Sequence, residues 1–332
     1  MTHYDVYGIG HALVDVELHV PDAFLTQAGL QKGSMSLVDE AYQNRLLQQV
    51  AGLPQHRSCG GSSANTLIGL AQFGGRGFHA CKVAEDEAGA FFAQDMRLHG
   101  VDNSLHLARS PGTTGRCLVF ITPDAERTMC THLGISEQFS TEQISPDILG
   151  QAEYLYIEGY LVSSPSGRAA TVEAARLARQ QGVKTALTFS DTSMVTYFRA
   201  GLDAIIGDGV DLLFCNESEA MAYTGSQTLA QAKQGLSTIA RRVGLTLGAQ
   251  GATLYDGERW MDVPGLPVQP LDSNGAGDLF AAALLFGMTH GYSLAKAGRL
   301  ACHAASLLVT QSGARLKAGQ ARTVLDLQEH VQ

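Results

Sequence analysis

The segment Asp272-Ser273-Asn274-Gly275-Ala276-Gly277-Asp278 runs directly into the apolar stretch Leu279-Phe280-Ala281-Ala282-Ala283-Leu284. Gly275, Ala276 and Gly277 remove side chains where a helix begins. The unsatisfied amides of the first turn, at the positive end of the helix dipole, then form an anion site. Asp278 sets a carboxylate beside that site. Next to a transferring phosphoryl group, such a carboxylate can accept the proton of an attacking hydroxyl. It can equally do no more than cap or charge a helix start, as aspartates do.

Three further segments carry polar groups at helix starts or turns. In Cys59-Gly60-Gly61-Ser62-Ser63-Ala64-Asn65, two glycines let a ligand approach the backbone, and Asn65 offers a donor and an acceptor to hydroxyl groups. A tight turn followed by an N-cap accounts for the same residues. Asn216-Glu217-Ser218-Glu219 follows an apolar strand, and an acidic, amide-bearing helix start there lies where open α/β sheets bind ligands. Glu219 and Asn216 could steer a hydrated Mg²⁺, which keeps most of its waters and uses few carboxylates; a capped first turn is the plainer account. Thr246-Leu247-Gly248-Ala249-Gln250-Gly251 is turn-like but lacks the G-K-[ST] of a Walker A loop. Gly8-Ile9-Gly10-His11 opens like a dinucleotide fingerprint, yet the third glycine is missing and strand-like residues follow where a helix is required.

The elements that must hold these segments alternate. Tyr4–Ile9, His79–Val83, Tyr154–Ile157, Lys184–Phe189 and Leu212–Cys215 read as strands. Ser63–Phe73, about Asp86–His99, Ser166–Gln181, Met194–Ile206, Gly275–His290 and Leu294–Gln311 read as helices. Asp256-Gly257 between Thr253–Tyr255 and Trp260–Val263 is a hairpin signal. This order predicts a three-layer α/β/α protein with a mostly parallel sheet. Two regions break the rhythm. Leu13–Val20 and Ser34–Val38 read as strands with no helix between them, and Leu105–Thr131 reads as strand, turn, strand, with turns at Pro111-Gly112 and Pro123-Asp124. They predict a small separate sheet forming a lid over the C-terminal edge of the main one. Residues 1–332 then make a single domain, with lid strands inserted at about 13–38 and 105–131.

Composition narrows the function classes. The net charge of −9 argues against a nucleic-acid partner, which requires a basic face. No apolar run approaches the roughly 20 residues of a membrane span, and no basic and apolar leader opens the chain. The six cysteines are scattered without a C-x-x-C pair and fit reduced thiols of a cytoplasmic protein.

Taken together, the motifs resemble the ribokinase-like (PfkB) carbohydrate kinase family. Gly60-Gly61-x-x-Ala64-Asn65 is similar to its N-terminal signature and Asp272-x-x-Gly275-Ala276-Gly277-Asp278 to its C-terminal one. Asn216-x-x-Glu219 and Thr246-x-Gly248-x-x-Gly251 fall between them in the expected order. The likeness covers about residues 4 to 315. Within the family, Gly8-x-Gly10-His11-Ala12-Leu13-Val14-Asp15 resembles the opening of the adenosine-kinase branch, with His11 in place of the usual asparagine. Thr122–Met129 resembles its lid strands. The resemblance implies transfer of the γ-phosphoryl group of ATP, with Mg²⁺, to a hydroxyl of a nucleoside or sugar. Asp278 would be the base, and the anion hole would lie at Gly275, Ala276 and Gly277. Asp15, His11, Leu13, Gly60, Gly61, Ser62 and Asn65 would hold the acceptor. Asn216, Thr246, Gly248, Gly251, His303 and Ser306 would border ATP, with Ala304 lining the adenine pocket, Glu219 reaching the metal through water and Arg127 reaching a phosphate or a surface ion pair. A free-sugar kinase and a non-catalytic binding relative are the alternatives; the latter would be expected to have lost Asp278 or Glu219. A monomer or a homodimer is compatible with the family.

Overall fold

The computed structural model describes residues 4–105, 109–124 and 126–329. In chain order its strands are β1 (Tyr4–Ile9), β2 (Leu13–His19), β3 (Met35–Leu37), β4 (His56–Gly60), β5 (Gly77–Ala80), β6 (Val101–Asn103), β7 (Thr114–Ile121), β8 (Arg127–Gly134), β9 (Ala152–Glu158), β10 (Lys184–Thr188), β11 (Leu212–Asn216), β12 (Val243–Thr246), β13 (Ala252–Tyr255) and β14 (Trp260–Val263). Nine of them form one sheet in the order β14-β13-β12-β11-β10-β9-β1-β5-β6. Pairing is parallel from β12 through β6 and antiparallel at β12–β13–β14.

The near-continuous apolar runs of the central strands are what a parallel sheet covered on both faces demands. Tyr154, Leu155, Tyr156 and Ile157 of β9 are all buried. One face packs against the helices Ser62–Gln72, Ala276–Thr289 and Leu294–Leu308, the other against Pro165–Gln181 and Glu217–Thr224. From β1 the chain builds outward through β5 and β6, then returns beside β1 at β9 and proceeds the other way. The β1/β9 boundary is therefore a topological switch point, where open α/β sheets place ligands beyond the strand C-termini.

A second sheet has the order β3-β8-β7-β2-β4. Its outer face, with Val14, Val16, Leu18, Leu118, Phe120 and Cys130, is covered by the helices Asp22–Ala28 and Glu40–Gln49. Gln43 of the second helix donates to the carbonyls of Arg116 (2.8 Å) and Cys130 (3.2 Å). The inner face carries Asp15 and the apolar cluster Cys117, Val119 and Ile121.

Several boundaries differ from the sequence expectation. A helix, Asp22–Ala28, does lie between the strands at 13–20 and 34–38; at seven residues, bounded by Pro21 and a left-handed Gly29, it is too short to show a period. The strand expected from Leu105 begins at Thr114, residues 106–108 lie outside the described part, and β8 continues to Gly134. The helix expected over Met194–Ile206 breaks at Phe198 into Thr192–Tyr197 and Arg199–Ile206. β4 was not foreseen, because His56-Arg57-Ser58 is polar. The six cysteines are buried and unbridged.

Phe120 is fully buried and its ring centroid lies 5.0 Å from that of Phe24, so it seals the small sheet to its covering helix. Phe120→Ala is expected to lower unfolding free energy by about 3–5 kcal/mol. Urea denaturation followed by circular dichroism measures this; a loss below about 1 kcal/mol would mean that the helix does not depend on this contact.

Candidate active site

Two helix starts meet at the centre of the site. Ser62–Gln72 and Ala276–Thr289 pack closely because Gly69 carries no side chain: a Cβ there would lie 2.8 Å from Ala282 Cβ and 3.0 Å from Leu279 Cδ1. Their N-termini are thereby neighbours. The Ser62 hydroxyl donates to Asp278 Oδ1 at 2.6 Å, and Asn65 Nδ2 donates to Oδ2 at 3.3 Å. Burial pushes the Asp278 carboxyl up to about 6, while the bonds from Ser62 and Asn65 hold it down and the charge of Glu158 raises it. A carboxylate near that value is poised to take a proton at neutral pH.

Helix Ser62–Gln72 has no side-chain cap of its own, since its N-cap residue is Gly61. Glu158, 1% exposed at the end of β9, supplies the carboxylate instead. Its Oε2 accepts from the Ser63 amide at 2.8 Å, and its Oε1 lies 3.3 Å from both the amide and Nδ1 of His11. A Cβ at Gly10 would come within 2.4 Å of Glu158 Oε2, so only glycine leaves room for this cap. Sequence reasoning missed Glu158; an acidic residue directly after the apolar run Tyr154–Ile157 was the available signal. His11, expected at the acceptor, is 3% exposed and held by Glu158, with Nε2 unpartnered.

On one side of Asp278 lies a recess of 280 Å³ lined by Asp15, Glu17, Arg57, Asn65, Asp95 and Arg315, among others. Asp15 projects from β2 over Gly60, where a Cβ would lie 2.3 Å from both carboxylate oxygens. Gly61, at φ 97°, brings its Cα against the His11 carbonyl, a conformation and a closeness that other residues resist. Burial raises Asp15 to about 7; Arg315 opposes this, Glu17 adds to it, Arg127 opposes, and Asp278 adds. Asn65 Oδ1 is buried without a partner, and such an atom is costly until a hydroxyl donates to it. Leu13 is half-buried at the start of β2, paired with Gly60.

On the other side lies a recess of 140 Å³ lined by Ser62, Asn216, Glu219, Thr246, Gly277 and Asp278, among others. Gly275 adopts φ 74° against Ala314, and the Ala276 amide donates to the Ser273 carbonyl at 3.2 Å. This leaves the Gly277 and Asp278 amides free of backbone partners among the described residues. A side chain at Gly277 would meet nothing within 4 Å, so the cradle is open there. Asn216 and Glu219 form a reciprocal capping box: the Asn216 amide donates to Glu219 Oε2 (3.0 Å), Asn216 Nδ2 to Oε1 (2.9 Å), and the Glu219 amide to Asn216 Oδ1 (2.9 Å). Burial nevertheless pushes Glu219 up to about 7, the Asn216 amide pulls it down, and Asp191 raises it.

Other expected residues lie outside the linings of the two recesses. Gly248 faces open space, whereas Gly251 packs against Val263 and Gly265 and closes the turn after β12. The Ser306 hydroxyl accepts from the Leu266 amide at 3.1 Å, Ala304 is fully buried, and His303 is half-buried on the same helix. None of the three lines either recess. Arg127 forms ion pairs with Glu17 (3.1 Å) and Asp272 (3.0 Å), joining the small sheet to the glycine loop. A further groove of 710 Å³ lies at the opposite ends of the strands near Lys184, Asp211 and Arg242, away from these carboxylates.

The pfkB family carbohydrate kinase model matches residues 40–320. The chain belongs to the PfkB family of carbohydrate kinases. Members transfer phosphate to an alcohol group and use ATP as donor. An adenosine kinase from Sinorhizobium meliloti has a similar structure, with a TM-score of 0.88 and 33% identity over 98% of this chain and 100% of that one. A probable sugar kinase from Rhizobium etli CFN 42 has a TM-score of 0.89 and 31% identity over 98% and 99%. Escherichia coli (strain K12) guanosine-inosine kinase is 27% identical over 228 residues, 66% of this chain and 52% of that kinase, so the chain matches about half its length. These likenesses place the PfkB chain in the adenosine-kinase-like branch, with the ribokinase-like α/β fold.

A base must be ionised to accept a proton, so if Asp278 is the base, turnover is expected to fall as pH drops toward about 6, the value to which burial raises its carboxyl. Ser62 stabilises the charged form. Ser62→Ala should therefore move the acid limb of the kcat profile to higher pH. An unshifted limb would detach it from Asp278.

Proposed function

We propose that this chain transfers the γ-phosphoryl group of ATP to a hydroxyl of a nucleoside of the adenosine type. The observation that carries this reading is the position of Asp278 at the boundary between the two recesses. Ser62, which lines the smaller recess, and Asn65, which lines the larger, both bond to its carboxylate.

Asp15 binds the acceptor hydroxyls from the larger recess. Asp278 takes the proton of the attacking hydroxyl as its oxygen bonds to the γ-phosphorus and the bond to the β-phosphate bridging oxygen breaks. The Gly277 and Asp278 amides, with the helix dipole behind them, stabilise charge on the transferring group. The smaller recess suits Mg²⁺ held through water and phosphate. It offers Glu219, a carboxylate raised by burial that a cation would stabilise, and the described residues contain no cluster of three acidic, His or Cys groups able to cage a metal alone. The metal would neutralise phosphate charge.

The charges around the larger recess favour a neutral acceptor. Arg57 is bound twice by Glu87 (2.9 and 3.0 Å), Arg315 is paired with Asp95, and Arg127 with Glu17 and Asp272. A carboxylate or phosphate on the acceptor would face the carboxylates of Asp15 and Glu17, which line this recess. A free sugar satisfies the same condition, and the likeness to a probable sugar kinase supports it as a second reading. The covered outer face of the small sheet favours a monomer. Among the described residues no helix is long and apolar enough to cross a membrane; a cytoplasmic site of action is part of this proposal.

A coupled ATP-consumption screen over nucleosides, pentoses and hexoses is expected to show highest kcat/KM with a nucleoside. Turnover with no alcohol acceptor would overturn the kinase reading. Asp278→Asn should lower kcat by about 100-fold or more with KM values little changed; turnover within a few-fold of wild type would remove Asp278 as base.

Asp15 rides on the small sheet, so acceptor binding should draw that sheet over the recess and exclude water. Hydrogen exchange in β7 and β8 is expected to slow at saturating acceptor. Equal exchange with and without acceptor would show a fixed sheet instead.

A further inference from the structure

The backbone next to the acceptor glycines is held at both ends by side chains that no motif includes. The Cys59 amide donates to Asp95 Oδ2 at 2.9 Å. The Cys59 carbonyl accepts from Arg315 Nη2, and the same nitrogen lies 2.9 Å from Cys59 Sγ. Arg315 Nη1 closes the ring on Asp95 Oδ2 at 3.1 Å. One guanidinium and one carboxylate thus fix the peptide groups of the residue before Gly60-Gly61, and Asp15 rests on Gly60. Both charges are 15% exposed, where an ion pair is weakly screened.

Arg315 also faces the recess that Asp15 lines. The charged groups acting on Asp15 are Arg315 and Arg127 as cations and Glu17 and Asp278 as anions, with the buried Cys117 thiol on the neighbouring strand. The segment that carries Arg315 packs on the phosphate side: the Gly313 amide donates to Asp272 Oδ2 at 2.9 Å, and Ala314 lies against Gly275.

We propose that Arg315 is a positioning residue for the acceptor, setting the end of β4 through Cys59 and supplying the counter-charge that keeps Asp15 ready to accept hydroxyl hydrogen bonds. This rests on the reading of Asp15 as the acceptor carboxylate. Arg315 touches neither reacting atom; it acts through Asp15 and Cys59, and it ties them to the glycine loop that holds phosphate.

The test has an arm that needs no turnover. In protein carrying ¹³Cγ-aspartate, the Asp15 resonance is identified by its loss in Asp15→Asn and titrated by NMR. Arg315→Ala is expected to move its midpoint upward by about one pH unit, and Arg315→Lys to return most of that shift. The kinetic arm uses adenosine. Arg315→Ala should raise its KM about tenfold or more with the KM for ATP nearly unchanged, Arg315→Lys should recover part of this, and Arg315→Ala should add little in an Asp15→Asn background. If Arg315→Ala does not fold, Arg315→Lys and Asp95→Asn carry the same comparisons. An unmoved Asp15 midpoint overturns the proposal. So does a proportional loss for adenosine and ATP alongside a lowered melting temperature, the outcome of a merely structural tether. Unchanged adenosine KM in Asp15→Asn instead removes the reading of Asp15 and leaves the Arg315 shift to be judged by NMR alone.

Discussion

The bond from Ser62 to Asp278 spans 216 residues of chain and joins two helix N-termini, and the arrangement of the site depends on it. Two helix starts side by side concentrate positive potential and free amides in one place. That field suits phosphate, but it also crowds Asp278 between walls that keep water out. Burial raises the carboxyl, the two donors lower it, and the balance leaves it near 6. The surrounding small residues serve this meeting. Gly69 permits the helices to touch, Gly10 admits the Glu158 cap, and Gly275 turns the loop tightly against Ala314. A side chain at any of these positions would separate groups that act only together.

Much of the layout was legible in the sequence because it obeys local rules. The glycine loop before the helix at Ala276 stands out by its three small residues, and Asn216 and Glu219 by the spacing of a capping box. The alternation of apolar runs reads as a parallel sheet since β9 and its neighbours are buried on both faces. The inserted strands stand out by lacking helical periodicity, and β2, β3, β7 and β8 do share one sheet.

What was not legible depends on partners distant in the chain. His56–Gly60 is too polar to read as a strand and becomes β4 only by pairing with β2. Ser62 and Asn65 also bond to Asp278, a relation no spacing in the first hundred residues could disclose, while Asn65 Oδ1 stays unpartnered. The Ser306 hydroxyl oxygen accepts from the Leu266 amide, a contact 40 residues away that no local pattern shows. Glu158 and Arg315 belong to no motif at all. They matter because burial makes any charge costly unless it is bonded, and each is bonded to backbone beside a functional glycine.

On the proposed reading, the two carboxylates divide the work between the two sheets. Asp278 stands on the main body, where strand ends and helix starts impose one geometry suited to phosphate. Asp15 stands on the small sheet, whose inner face offers Cys117, Val119 and Ile121 beside it. The small sheet shares one apolar core with the main body and is tied to it by polar links as well, Arg127 to Asp272, Thr114 to Asp86 and the Arg315 clamp on Cys59, while its inner face stands apart from the glycine loop. His11 lies on the other side of this division. Held by Glu158 beneath the Ser62 helix, it alters the support of the helix start rather than a freely exposed contact surface. Acceptor preference in this chain is accordingly to be sought on the small sheet and its polar tethers, and catalytic competence in the packing of two helix starts.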